Sequence, residues 1–65
     1  MPINQPTALS IAGLEEVYDA LARAIDTAGA DKVELFLVKL ALLNANALGD
    51  AALFQQHLGA ALQDL

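Results

Sequence analysis

The sequence contains no cysteine, and His57 is its only histidine. Without cysteine there can be no disulfide and no thiolate zinc site, and one histidine cannot form a histidine-rich zinc site. A chain of 65 residues withdraws only about 60% of its extended-chain surface from water on folding. Natural chains this short are usually stabilised by disulfides, by a structural metal ion or by oligomerisation. We therefore expect a self-associating protein with no metal and no other cofactor.

Basic residues are also scarce. Arg23, Lys32 and Lys39 are the only ones, against eight acidic residues, and the net charge is −5. This charge repels phosphate backbones and anionic lipid surfaces, so we expect no nucleic-acid partner. An acidic balance also suits a basic partner, but the simpler interpretation is a charge that keeps a small apolar protein in solution.

The sequence has no apolar run long enough to cross a bilayer. The most apolar segment, Val33 to Leu48, is shorter than the roughly 20 residues that a spanning helix needs, and it contains Lys39. Residues 1–6 lack the basic start and apolar stretch of a secretory signal. We expect no association with a membrane, and a cytoplasmic location.

What the chain has in excess is apolar residues, which make up 57% of it, above the usual 45–50% or so. They recur at helical spacing in three segments, which predicts an all-α protein with helices at about 11–28, 31–48 and 51–64. Pro2 and Pro6 favour extended backbone. We therefore predict an extended N-terminal arm at residues 1–9 and a single helical domain at 10–65.

Polar residues and glycine mark the predicted helix ends. Ser10 is a suitable N-cap for the first helix, and Asp31 is a candidate N-cap for the second, with Glu34 in the capping-box position. Gly49 can adopt the left-handed conformation that ends a helix, and Asp50 can cap the next one. These residues predict a tight structural turn between the second and third helices.

The central helix is apolar on almost every side, whereas its neighbours are amphipathic. A helix of this kind is normally buried. Two flanking helices cover only part of it, so its remaining face predicts a partner chain or a ligand cavity. We place Val38 and Leu42 at the centre of that contact, whereas Tyr18 of the first helix is expected in the core with its hydroxyl at the rim.

Lys32, Lys39 and Asn46 are spaced seven residues apart and form one narrow polar stripe on the central helix. The two lysines have two interpretations. They form a solvent-exposed edge with their aliphatic stems along the apolar surface, or they pair with a carboxylate of a ligand or of another chain. For Asn46, bonding to local carbonyls and fixing the register of an oligomer are further alternatives.

No residue set indicates a reaction. Ser10 and His57 belong to different predicted helices, so a nucleophile activated by a base is not expected. Glu15 and Asp19 can approach each other on a helix, but such a pair is more often a solvated acidic face than a cation site. His57 is interpreted as a surface or interface histidine. The protein is therefore predicted not to be an enzyme.

The chain resembles a group of short bacterial proteins, the domain of unknown function 2783 family, mainly from Lys39 to Leu62 and also in its first helix. The resemblance lies in Lys39-Leu40, in Ala45-Asn46-x-Leu48-Gly49-Asp50, in the leucine-spaced helix that follows, and in Val17-Tyr18-x-x-Leu21. It implies a short helical bacterial protein without an established activity. It also gives weight to Asn46, Gly49 and Asp50 as a motif, and it transfers no catalytic residue.

Two functional hypotheses follow from the sequence. The first is a small helical interaction or accessory protein that self-associates, as a homodimer in the simplest case, through the central helix. Such a protein could also dock on a larger enzyme encoded nearby. The alternative is a binder of a small apolar or carboxylate-bearing ligand held between helices, with Lys39 as the counter-ion.

Overall fold

A computed structural model of the protein describes residues 8–65. It contains three helices, α1 (Ile11–Ala28), α2 (Val33–Leu48) and α3 (Ala51–Leu62). The described residues form no β-strand. The prediction of an all-α, three-helix protein is therefore confirmed. Most of the predicted arm at residues 1–9 lies outside the described residues.

The chain forms two compact units, one ending at Val33 and the other beginning at Glu34. The first unit contains α1. The second consists of α2, apart from its first residue, and α3. The single helical domain expected at 10–65 stays a prediction.

Helix α1 begins with the predicted serine cap. Ser10 has extended backbone, and its hydroxyl oxygen accepts a hydrogen bond of 3.0 Å from the Gly13 backbone N–H. A methyl group at Gly13 would lie 3.2 Å from Ser10 Oγ and 3.5 Å from Leu9 Cδ2. Glycine weakens the first helical turn, but here it leaves room for the cap.

Helix α2 begins two residues later than predicted. Gly29 ends α1 with φ of 81°, and its carbonyl accepts a hydrogen bond of 3.1 Å from the Lys32 backbone N–H. Residues 30–32 are therefore used in a turn. Asp31 lies inside this turn, so it is not the residue immediately before α2 and the predicted capping box does not form there. The hydrogen bond between Gly29 and Lys32, three residues apart, competes with the first turn of a helix that would start at Asp31.

Residues 49–50 form the turn between α2 and α3. Gly49 has φ of 72°, and its N–H donates to the Ala45 carbonyl at 3.0 Å. Asp50 has extended backbone, and its carboxylate accepts from the Leu53 N–H at 3.0 Å. These are the geometries of a left-handed helix end and a side-chain N-cap.

Helix α3 ends at Leu62, two residues before the predicted end. The Gln63 N–H donates to the Ala60 carbonyl at 3.3 Å, and Asp64 has φ of 56°. The hydrogen bond between Gln63 and Ala60 joins residues three apart, as in a 3₁₀-helix, and Asp64 is in the left-handed region. Both features end the α-helical geometry.

None of the described residues is buried. The best covered apolar side chains are only half-buried, and they occur in both units: Leu21, Ala24, Ile25, Ala28, Val33, Phe36, Leu40, Ala41, Ala45, Leu53 and Phe54. A fully buried leucine or phenylalanine side chain contributes about 1.5–3 kcal/mol relative to an exposed one. Within residues 8–65, a large part of this stabilisation is still available to a partner.

Candidate interaction surface

Exposed apolar residues lie on more than one side of α2, and Leu43 is 67% exposed and Leu37 40% exposed. Three others share one side of the helix, and we call them the open face. Leu35, Val38 and Leu42 are spaced three and four residues apart, the spacing that places side chains on one side of a helix. Their exposed fractions are 57%, 50% and 64%. The half-buried Phe36 and Leu40 lie on a different side of the helix. The open face therefore offers a continuous apolar ridge to another molecule.

The predicted central contacts, Val38 and Leu42, belong to this open face. Leu35 was missed by the sequence analysis, although its position seven residues before Leu42 is a heptad spacing that could have identified it. Because α2 has apolar residues on almost every side, other pairs of apolar residues show the same spacing, and the sequence does not single out this pair. Only the exposed fractions distinguish the open face from the covered side.

The predicted polar stripe lies along one edge of the open face. Lys39 follows Val38 by one position, and Asn46 lies seven residues further on; both are exposed. Lys32 is also exposed, but it belongs to the turn before α2. Only two of the three stripe residues are therefore helical. The open face has a basic edge formed by Lys39 and, at its start, Lys32.

A second exposed apolar surface lies on the first half of α1, and we call it the α1 stripe. Ile11, Leu14 and Tyr18 are 80%, 59% and 71% exposed. They line a shallow hollow of about 600 Å³ together with Glu15 and Asp19. The expectation that Tyr18 is a core residue is wrong, because its side chain is exposed and the first half-buried side chain of α1 is that of Leu21.

The α2–α3 hairpin has a groove of about 390 Å³. Its apolar lining consists of Ala41, Leu48, Phe54, Leu58 and Ala61. The polar groups that reach it are the Asn44 amide and the His57 imidazole. Lys39 is not among the residues that line this groove, so it is not placed to act as a counter-ion for a molecule bound there.

Side chains that could bind a metal ion do not cluster in the described part of the chain. Within residues 8–65, no group of three or more histidine, aspartate or glutamate side chains is arranged to hold a metal ion. The Ser10 hydroxyl is engaged as a helix cap. What this part of the chain presents to a partner is apolar surface with charged edges.

None of the helices in the described part of the chain is both long and apolar enough to cross a membrane.

Comparisons with protein-family models, with curated proteins and with solved structures give no match to this chain. The resemblance to the domain of unknown function 2783 family therefore stays a prediction.

Proposed function

We propose that the protein is a self-associating helical interaction module with no catalysis of its own, and that the open face of α2 is its contact surface. The observation that carries this proposal is the exposure of Leu35, Val38 and Leu42 in a chain of which no described residue is buried. An exposed apolar patch on a small domain marks a surface that another molecule covers.

The occupant is first of all a second copy of the chain. Association must offset an estimated 4–15 kcal/mol of lost rotational and translational freedom. Covering a leucine completely contributes about 1.5–3 kcal/mol, and Leu42 still has 64% of its surface to cover. Several such residues on each of two copies are therefore needed, and the open face supplies three per copy.

The test is the oligomeric state of the full chain. Sedimentation velocity and equilibrium ultracentrifugation at micromolar concentration should give a dimer or a higher oligomer. Leu42→Asp should shift the protein toward monomer, because a charge in an apolar contact loses its hydration. Leu65→Asp is the matched control, since Leu65 is 97% exposed and lies beyond α3. A stable, fully helical wild-type monomer would refute the proposal.

A second candidate function is supported by the groove of the α2–α3 hairpin. Its volume, its apolar lining and the two polar groups of Asn44 and His57 suit a small apolar molecule with one polar end. Medium-chain carboxylic acids and their alcohols are suitable probes. A probe at 100 times its dissociation constant should add about 2.7 kcal/mol to stability, which a thermal shift detects. The absence of any shift over such a series would count against this function.

A further inference from the structure

We infer that the open face of α2 binds the α1 stripe of a second copy. The contact is heterologous, because two different patches meet. It rests on the proposed self-association and specifies how that association occurs. Both patches are exposed in the single chain. Each contact covers the open face of one copy and the α1 stripe of another, so repeating it around a closed ring covers both patches on every copy.

The two patches match in pattern and length. Ile11, Leu14 and Tyr18 are spaced three and four residues apart, and so are the three residues of the open face. Each set therefore spans eight residues of helix, and its first and last residues are seven steps apart, about 10 Å at 1.5 Å per residue. A ridge of one helix can pack beside a ridge of equal length on the other.

The charges at the edges of the two patches are complementary. Glu15 follows Leu14 by one position, Asp19 follows Tyr18 by one position, and Lys39 follows Val38 in the same way. The acidic edge of the α1 stripe and the basic edge of the open face therefore lie on corresponding sides of their ridges. In antiparallel packing, corresponding sides meet, so carboxylates and an ammonium group face each other.

Pairing of the open face with itself would leave the α1 stripe of every copy exposed. Antiparallel pairing about the middle of the open face would bring Lys39 of both copies to the same side of the contact, where like charges repel. Parallel pairing would set Glu34 of one copy near Lys39 of the other. The charges of Glu34 and Lys39 attract each other in the parallel arrangement, but the α1 stripe with the carboxylates of Glu15 and Asp19 gains no partner there.

The test mixes two variants of the full chain, Leu14→Asp in the α1 stripe and Leu42→Asp in the open face. Because the contact joins different patches, each variant alone should lose self-association. The dissociation constant for self-association of each variant should rise at least about 30-fold. This is the change expected when a substitution in the interface weakens binding by about 2 kcal/mol. Each variant still has one intact patch, so an equimolar mixture should form a 1:1 complex.

Controls separate this inference from the proposed function. A wild-type chain that stays monomeric overturns both. If the wild type associates but Leu14→Asp associates equally well, or if the two variants do not bind each other, the inference is overturned and self-association stands. Far-UV circular dichroism checks that both variants keep their helices, and Leu65→Asp is again the control for an added charge.

A charge exchange provides an independent test that leaves the apolar residues intact. Lys39→Glu should weaken association, and adding Glu15→Lys should restore at least part of it by re-creating the pair with opposite signs. Restoration by Glu34→Lys, with none by Glu15→Lys, would identify parallel pairing of α2 with itself and overturn the inference.

Discussion

Replacing Asp50 by alanine should destabilise the α2–α3 hairpin through one hydrogen bond. The Asp50 carboxylate accepts from the Leu53 N–H at 3.0 Å, in an exposed position at the start of α3. An alanine at such a cap leaves the first N–H groups of the helix to water alone, which costs about 0.5–2 kcal/mol and typically about 1 kcal/mol. A core of this size rarely leaves more than about 3–5 kcal/mol in total, so this is a large fraction of it.

The assay is thermal unfolding followed by circular dichroism at 222 nm. A loss of about 1 kcal/mol should lower Tm by about 4–8 °C in a domain of this size. All variants must be compared at one protein concentration, because self-association adds a concentration-dependent contribution to stability. Asp50→Asn should retain most of the wild-type Tm, since the asparagine oxygen can accept the same hydrogen bond.

Asp31→Ala is the matched control for this prediction. Both substitutions remove an aspartate before a helix, but Asp31 lies inside the turn that precedes α2. Its replacement should change stability by no more than about 0.5 kcal/mol, as at an ordinary surface site. An equal loss of Tm in the Asp31 and Asp50 variants, or an unchanged Tm for Asp50→Ala, would refute the capping argument.

Three further substitutions, two at glycines and one at a helix cap, are tested by the same thermal unfolding assay. Gly49→Ala should destabilise the protein by about 1–2 kcal/mol, because φ at this position is 72° and a side chain is strained there; an unchanged Tm would contradict the left-handed turn. Gly59→Ala should instead stabilise by up to about 1 kcal/mol, since a methyl group meets no atom within 4 Å and alanine favours the helix. A lower Tm for this variant would mean that another copy packs closely on α3. Ser10→Ala should cost about 1 kcal/mol through loss of the cap on α1, and no change in helicity or Tm would argue against that cap.

Much of the local structure was predictable because it depends on residues close together in the chain. The bounds of α1 agree with the prediction of 11–28, and the Ser10 cap forms within its own first turn. Periodicity in one helix and hydrogen bonds across three residues are local signals. The start of α2 was predicted too early, because the Asp31 pattern and the turn closed by Lys32 compete for the same residues.

The exposed surfaces were harder to predict than the helices. The apolar residues of α1 repeat along its length, and nothing in that pattern separates the exposed Tyr18 from the half-buried Leu21 one turn later. Helical spacing indicates which residues share a side of the helix, whereas the exposed fraction of each side chain depends on the structure around it. The sequence could thus predict that apolar surface is in excess, but not which part of α1 remains uncovered.

The sequence by itself determined an all-α protein of three helices, the glycine and aspartate that separate α2 from α3, and the lack of residues for a disulfide. Only the tertiary structure decided that Leu35, Val38 and Leu42 remain exposed while Phe36 and Leu40 are partly covered. The reason is that helix formation follows local spacing and capping, whereas an all-round apolar helix has no polar side to indicate how it faces its neighbours. That choice is made by packing between residues far apart in the chain.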